Sequence, residues 1–194
     1  MGWNHNVHYH QAVLNAMPRP CACALEIGCG RGDLARRMAG LCAKVLAIDN
    51  DPACLAVARE LPGLPANVTF LEGDFLSCPF PEASFDFVVA VASLHHLPMR
   101  NALEKCACIL RPGGTLAVVG LFRIENLLDY VLGCLALPLS WGIRSLCSEQ
   151  EVGAPLCEPT LTLAQLRGQF NSTLPGGELR RRLFFRYTFV WTKP

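Results

Sequence analysis

Leu25-Glu26-Ile27-Gly28-Cys29-Gly30-Arg31-Gly32 places an acidic residue ahead of glycines at every second position. A short apolar run, Cys23 to Ile27, leads into it, and a helical pattern, Asp33 to Ala39, follows. Apolar run, glycines and helix in that order read as strand, turn and helix. Glycine is needed at such a turn because the backbone bends sharply and a ligand must approach without Cβ interference. The loop amides and the helix N-terminus then face the ligand. A dinucleotide site would want a glycine at position 33, where this chain has Asp33. An acidic side chain there opposes a pyrophosphate, which disfavours a nicotinamide oxidoreductase. The spacing suits a ligand without phosphates, such as S-adenosylmethionine, with Glu26 near its cationic amino group.

Working outward, the same alternation continues. Tyr9 to Met17 carries a weak helical pattern that Pro18 and Pro20 stop. Lys44 to Ile48 reads as a strand. Pro52 opens a helix running to Glu60, in the first-turn position that tolerates a missing N–H. Val68 to Leu71 and Phe85 to Val91 are further strands, the second apolar enough to be covered on both faces. A helix from Arg100 to Leu110 ends at Pro112-Gly113-Gly114, and Thr115 to Gly120 is the fifth strand. Leu161 to Leu174 is helical, and Leu179 to Phe184 with Tyr187 to Trp191 form a terminal hairpin. The order predicts an α/β fold with right-handed crossovers and a mostly parallel sheet.

The carboxylates cluster where such a sheet binds ligands, beyond the C-terminal ends of its strands. Asp49 ends the second strand about 20 residues after the glycines, the place from which a carboxylate accepts both ribose hydroxyls. Asp74, in Gly73-Asp74-Phe75, follows the third strand and is placed to accept from an adenine amino group, with Phe75 against the ring. Each feature alone is weak, since a strand-end Asp is often only a helix cap.

The segments Glu26–Gly32, Ala47-Ile48-Asp49, Gly73-Asp74-Phe75, Phe85-Asp86-Phe87-Val88-Val89 and Leu110-Arg111-Pro112-Gly113-Gly114 together resemble a class I S-adenosylmethionine-dependent methyltransferase, of the small-molecule, ubiquinone-biosynthesis-like type. The resemblance covers residues 23 to 120 and extends to the terminal Phe189-Val190-Trp191-Thr192-Lys193-Pro194. It implies a Rossmann-like, seven-stranded, mostly parallel sheet with an antiparallel last strand and helices on both faces. It further implies that Glu26, Gly28, Cys29, Gly30 and Gly32 surround the methionine part. Asp49 and Asn50 would meet the ribose, Asp74 and Phe75 the adenine, and Val91 a further cofactor contact. Residues 1–194 then form one methyltransferase domain. Its parts are an N-terminal lid helix (1–20), a cofactor-binding core (21–120), a variable substrate-side insertion (121–159), and a closing helix with hairpin (160–194).

Methyl transfer from a sulfonium is an in-line displacement in which the protein chiefly aligns nucleophile, methyl and sulfur. A general base is needed only where the acceptor must lose a proton. Ser93-Leu94-His95-His96-Leu97 sits just past the fourth strand, so His96 and His95 are the candidate bases, and the competing reading makes them scaffold or cofactor wall. His96 is preferred for the pocket wall. Tyr9 and His10, on a helix covering the pocket, and Trp141, in the insertion, are candidate substrate contacts. His5, His8 and His10 lack a Cys or carboxylate to complete a metal set, so no metal is expected.

Composition sets the remaining bounds. The 194 residues carry a formal net charge of +1, which argues against an electrostatic grip on nucleic acid. Arg180-Arg181-Arg182 reads as an exposed hairpin face. Hydrophobic residues are 52%, charged residues 17%, and the mean hydropathy is +0.30, too apolar for disorder. The apolar excess concentrates in residues 127–143, interrupted by Asp129, Gly133 and Pro138, so stable membrane insertion is not expected. The insertion is expected to form an apolar or aromatic acceptor pocket. In the alternative reading it is the interface of a catalytically silent binding module, and a homodimer is compatible with it. Eleven cysteines without a C-x-x-C pair read as buried reduced thiols in a cytoplasmic protein.

Overall fold

A computed structural model describes residues 5–123 and 159–194 apart from Phe184. Seven strands form one sheet in the order β3-β2-β1-β4-β5-β7-β6. They are β1 (Cys23–Ile27), β2 (Lys44–Asp49), β3 (Val68–Glu72), β4 (Phe85–Val91), β5 (Leu110–Leu121), β6 (Glu178–Arg182) and β7 (Arg186–Thr192). The helices are α1 (His5–Leu14), α2 (Asp33–Met38), α3 (Pro52–Glu60), α4 (Met99–Ile109) and α5 (Leu163–Thr173), with a 3-10 turn at Leu94–His96. The first five strands in the spatial order are mutually parallel; β7 runs antiparallel to β5, and β6 antiparallel to β7. The expected architecture is therefore present.

The central strands feed two cores, because successive side chains point to opposite faces. Val88, Ala90, Leu116 and Val118 face a layer containing Leu103, Cys106 and Phe170 of α4 and α5. Phe87, Val89, Ala117 and Val119 face Tyr9, Val13, Leu34 and Leu55 of α1, α2 and α3. Burying a side chain of this size contributes roughly 1.5–3 kcal/mol. The continuous apolar run of β4 thus reflects cover on both sides, as expected.

Capping explains several helix bounds. Asp51 accepts from the amides of Ala53 and Cys54 at the start of α3, just ahead of Pro52. Thr162 and Gln165 form a capping box at α5. α1 lies earlier than the pattern suggested: after Leu14 the amides of Ala16 and Met17 reach back only three residues, and Pro18 follows. β5 is longer than expected and takes in Pro112-Gly113-Gly114. Lys193 supplies the reason: Gly113 donates to its carbonyl at 2.8 Å and Gly114 accepts from its amide at 2.8 Å. No helix among the described residues is long and apolar enough to cross a membrane. Of the 121–159 insertion, residues 124–158, with Trp141, lie outside the described residues.

Candidate active site

The loop after β1 is bound to the neighbouring strands by its own backbone. Gly28 and Cys29 donate to the Ile48 carbonyl at 2.8 and 3.1 Å. Gly28 has φ +70°, and a Cβ there would stand 2.4 Å from Ser93 Cβ. Ser93 in turn donates to the Ile27 carbonyl at 2.6 Å, so β1 and the segment after β4 touch through backbone that only glycine permits. Gly30 has φ +51°, and a Cβ there would meet nothing within 4 Å. The space beside Gly30 is therefore open, unlike that beside Gly28. Gly32 donates to the Cys29 carbonyl at 2.9 Å and leads into α2.

Glu26 and Asp49 stand at this loop, and a third carboxylate, Asp74, follows β3. Asp49 closes β2, accepting from the Gly30 amide at 2.6 Å and the Asp51 amide at 2.9 Å. Glu26 is buried, with 4% exposure, and its Oε2 has no hydrogen-bond partner among the described residues. Burial drives its carboxyl well above the usual range, against the Ala35 amide that pulls it down, while Asp33 and Asp49 push it further up. A buried acidic group with an orphaned oxygen lacks a donor, and a ligand ammonium is one such donor. Asp74 is exposed and engaged locally, accepting from the amides of Leu76 and Ser77 and from the Ser77 hydroxyl.

The remaining expected residues separate into two groups. Cys29 is buried beside the loop and Asn50 is exposed after Asp49. Val91 packs against the core cluster under the loop. Phe75 is buried among core side chains, 5.9 Å from the Phe80 ring, with Lys105 Nζ 5.2 Å from its centroid. Tyr9 donates to the Leu183 carbonyl at 2.9 Å, which joins α1 to the turn before β7. His10 is buried, and burial, then Arg37, lower its pKa to about 4 against a smaller opposing pull from Asp33.

His95 and His96 lie ring to ring, 4.1 Å apart, in the 3-10 turn after β4. His96 is exposed and His95 half-buried. Burial, then His96 and Arg186, lower the His95 pKa to about 4. His95, not the preferred His96, lines a cavity of about 190 Å³ with Leu97, Met99, Leu121, Leu166 and Gln169. The tight turn puts the two rings in different surroundings, a distinction that adjacent identical residues do not reveal in sequence. The reading also missed two supports. Ser93 was legible only as a polar residue after a strand. Ala92, with φ +53°, is a left-handed non-glycine at the same strand end, a feature with no compositional signal.

Comparison with known proteins now decides the family. Residues 24–114 match the family described as "Methyltransferase domain". An uncharacterized methyltransferase of Mycobacterium tuberculosis is 36% identical over 197 residues, covering 99% of this chain and 98% of that one. This chain belongs to the class I S-adenosylmethionine-dependent methyltransferases. The 27-O-demethylrifamycin SV methyltransferase of Amycolatopsis mediterranei is 38% identical over 105 residues, 48% of this chain and 36% of that enzyme. The fold matches the N-methyltransferase NodS of Bradyrhizobium japonicum, solved with S-adenosyl-L-homocysteine. The TM-score is 0.65 at 18% identity, covering 98% of this chain and 89% of that one. The methyltransferase is an enzyme whose methyl donor is S-adenosylmethionine.

Proposed function

We propose that this methyltransferase acts on a small apolar or aromatic acceptor bound in the cavity beside His95. The cavity carries the reading. It lies past the C-terminal ends of β4 and β5, and its wall is mainly Leu97, Met99, Leu121, Leu161 and Leu166. His95, in the cavity wall, is two residues along the chain from Ser93, which packs on Gly28 of the glycine loop. His95 Nδ1 and Gln169 Oε1 are buried without hydrogen-bond partners among the described residues. Both belong to residues of the cavity wall, which suits an acceptor with one hydrogen-bonding group on an apolar body.

S-adenosylmethionine supplies an activated methyl group when bound. The chain's residues bind and orient around it. Gly30 leaves room for close approach, Gly28 and Gly32 seat the loop against Ser93 and Phe70, and Glu26 offers its unpaired oxygen to the amino group. Asp49, with Asn50 beside it, offers acceptor oxygens to the ribose hydroxyls. Asp74 accepts from the adenine amino group, and Phe75 with Lys105 backs that corner. Cys29 and Val91 fill the floor. Tyr9 and His10 carry α1 against the same end of the sheet. At neutral pH His95 is uncharged and able to accept a proton from an acceptor hydroxyl, though its low pKa makes it a weak base; His96 is the exposed second candidate.

Calorimetry with S-adenosyl-L-homocysteine tests the cofactor site, and transfer of a radiolabelled methyl group to a panel of phenols, aliphatic alcohols and amines tests the acceptor. Micromolar product binding with labelling confined to apolar acceptors supports the reading. Labelling of charged or macromolecular acceptors alone would end it.

A further inference from the structure

The geometry points to a peroxide-driven disulfide between Cys21 and Cys42, a modification site ahead of the N-terminal ends of β1 and β2, opposite the glycine loop. The Cys21 and Cys42 sulfurs are in hydrogen-bond contact at 2.8 Å, and both side chains are buried. No other two cysteine sulfurs meet among the described residues. The backbone sets the pair up. The parallel register of β1 and β2 pairs Cys23 with Lys44. The ladder continues outward, with Ala43 donating to the Cys21 carbonyl and Lys44 to the Ala22 carbonyl, each at 3.0 Å. Two residues back from Cys23 and Lys44 are Cys21 and Cys42, just before the paired strands begin, and these backbone bonds hold the two segments side by side. A disulfide spans roughly 4.4–6.8 Å between Cα atoms, and sulfurs already in contact need little backbone movement to be joined. Cys23 packs against the opposite core and faces Lys44 in register.

The chemistry balances with hydrogen peroxide as the oxidant. One thiol is oxidised to a sulfenic acid as the peroxide O–O bond breaks and one water leaves. The second sulfur then displaces the sulfenic oxygen, forming the S–S bond and releasing a second water. Two S–H bonds are lost, and the two electrons from sulfur reduce one peroxide. Burial and the contact with Cys42 hold the Cys21 thiol well above its ordinary pKa. The bond is therefore slow to form, and its selectivity comes from proximity rather than from thiolate reactivity. Once formed, it is shielded from external thiols by the same burial.

The cross-link closes a ring over residues 21 to 42, which contains β1, the glycine loop and α2. Constraining that ring in the unfolded chain stabilises the folded one. The cofactor end of the ring is the far end of β1, so the Gly30–Asp49 geometry is left alone.

The test is to expose the reduced full-length protein to a modest excess of hydrogen peroxide, alkylate the remaining thiols and map peptides without reduction. The tryptic peptide 38–44, which carries Cys42, is expected in a cross-link that fragmentation assigns to Cys21. Dithiothreitol should release it, Cys21→Ser should prevent it, and Cys23→Ser should retain it. The oxidised protein should melt about 5 °C or more above the reduced one, with S-adenosyl-L-homocysteine affinity within about twofold. Cys42 still alkylated after oxidation, or linked to Cys23 instead, overturns the proposal. Neither result bears on the methyltransferase reading, which the binding measurement above tests separately.

Discussion

The Gly30 amide donates to Asp49 Oδ2 at 2.6 Å, which makes the glycine loop and the end of β2 one hydrogen-bonded unit. Asp49 thus holds the loop, and under the proposed function it also offers acceptors to a ribose. Asp49→Ala removes both. It is expected to weaken S-adenosyl-L-homocysteine binding by roughly 10- to 100-fold, the scale of losing a charge-assisted hydrogen bond. Titration calorimetry reads this directly, and unchanged affinity would remove Asp49 from the cofactor site.

The glycines separate fold from function. Gly28→Ala forces a Cβ to 2.4 Å from Ser93 Cβ on backbone at φ +70°. Destabilisation by about 2–4 kcal/mol is expected in urea unfolding. Gly30→Ala meets open space. It should cost only about 1–2 kcal/mol for its left-handed backbone, yet reduce cofactor affinity by at least tenfold. Equal effects from the two substitutions would contradict the assignment of Gly30 to the ligand-facing side.

Glu26 and His10 make opposite contributions to stability against pH. Glu26 has a folded pKa raised above its unfolded value. Its folded form binds more protons through the window above about 4.5, so its contribution is present below that pH and is lost as pH rises. Glu26→Gln should therefore raise the melting temperature at pH 8 while weakening cofactor binding.

His10 has a folded pKa lowered from 6.5 to about 4. Its contribution is present above 6.5 and is lost as pH falls toward 4, because the unfolded chain takes up the proton first. Melting temperatures measured from pH 7 to pH 4 should fall less in His10→Leu than in the parent protein. An identical slope in both would mean that His10 is not held neutral.

Asp86 supports the sheet away from the ligand. It accepts from the amides of Ala22 and Cys23 at 2.8 and 2.9 Å and from Arg111 Nη1 at 2.7 Å. Burial pushes its carboxyl up, but Arg111 and the two amides outweigh burial and leave it low. Asp86→Ala should cost about 1–3 kcal/mol of stability and leave cofactor affinity within twofold. A large affinity loss in a still-folded variant would contradict this placement.

Local rules made most of this legible. Gly28 and Gly30 stood out because glycines at every second place after an apolar run mark a tight strand-to-helix turn, and Asp49 because it ends the next strand about 20 residues on. Phe85 to Val91 read correctly as a doubly covered strand because its apolar run does not alternate. What local pattern could not supply was pairing at a distance. Pro112-Gly113-Gly114 reads as a break, yet Lys193 draws Gly113 and Gly114 into β5 from eighty residues away. His95 and His96 are the same residue type at adjacent positions, and only the tight turn decides which faces the cavity. Ser93 gained its role from Gly28, sixty-five residues earlier in the chain. Trp141 lies outside the described residues, so its expected part in substrate contact stands as a proposal.

The position of β7 between β5 and β6 has a consequence during synthesis. β5 is complete at Leu121, but the strand that covers its open edge begins only at Arg186. At ribosomal speeds of about 5–20 residues per second, that edge waits roughly 3 to 13 seconds for its partner. Throughout that interval the nascent chain displays a long, apolar row of unpaired amides and carbonyls, the kind of surface that recruits other strands. Slowing translation between codons 122 and 185 should therefore reduce soluble yield, even though no residue of the folded enzyme has changed.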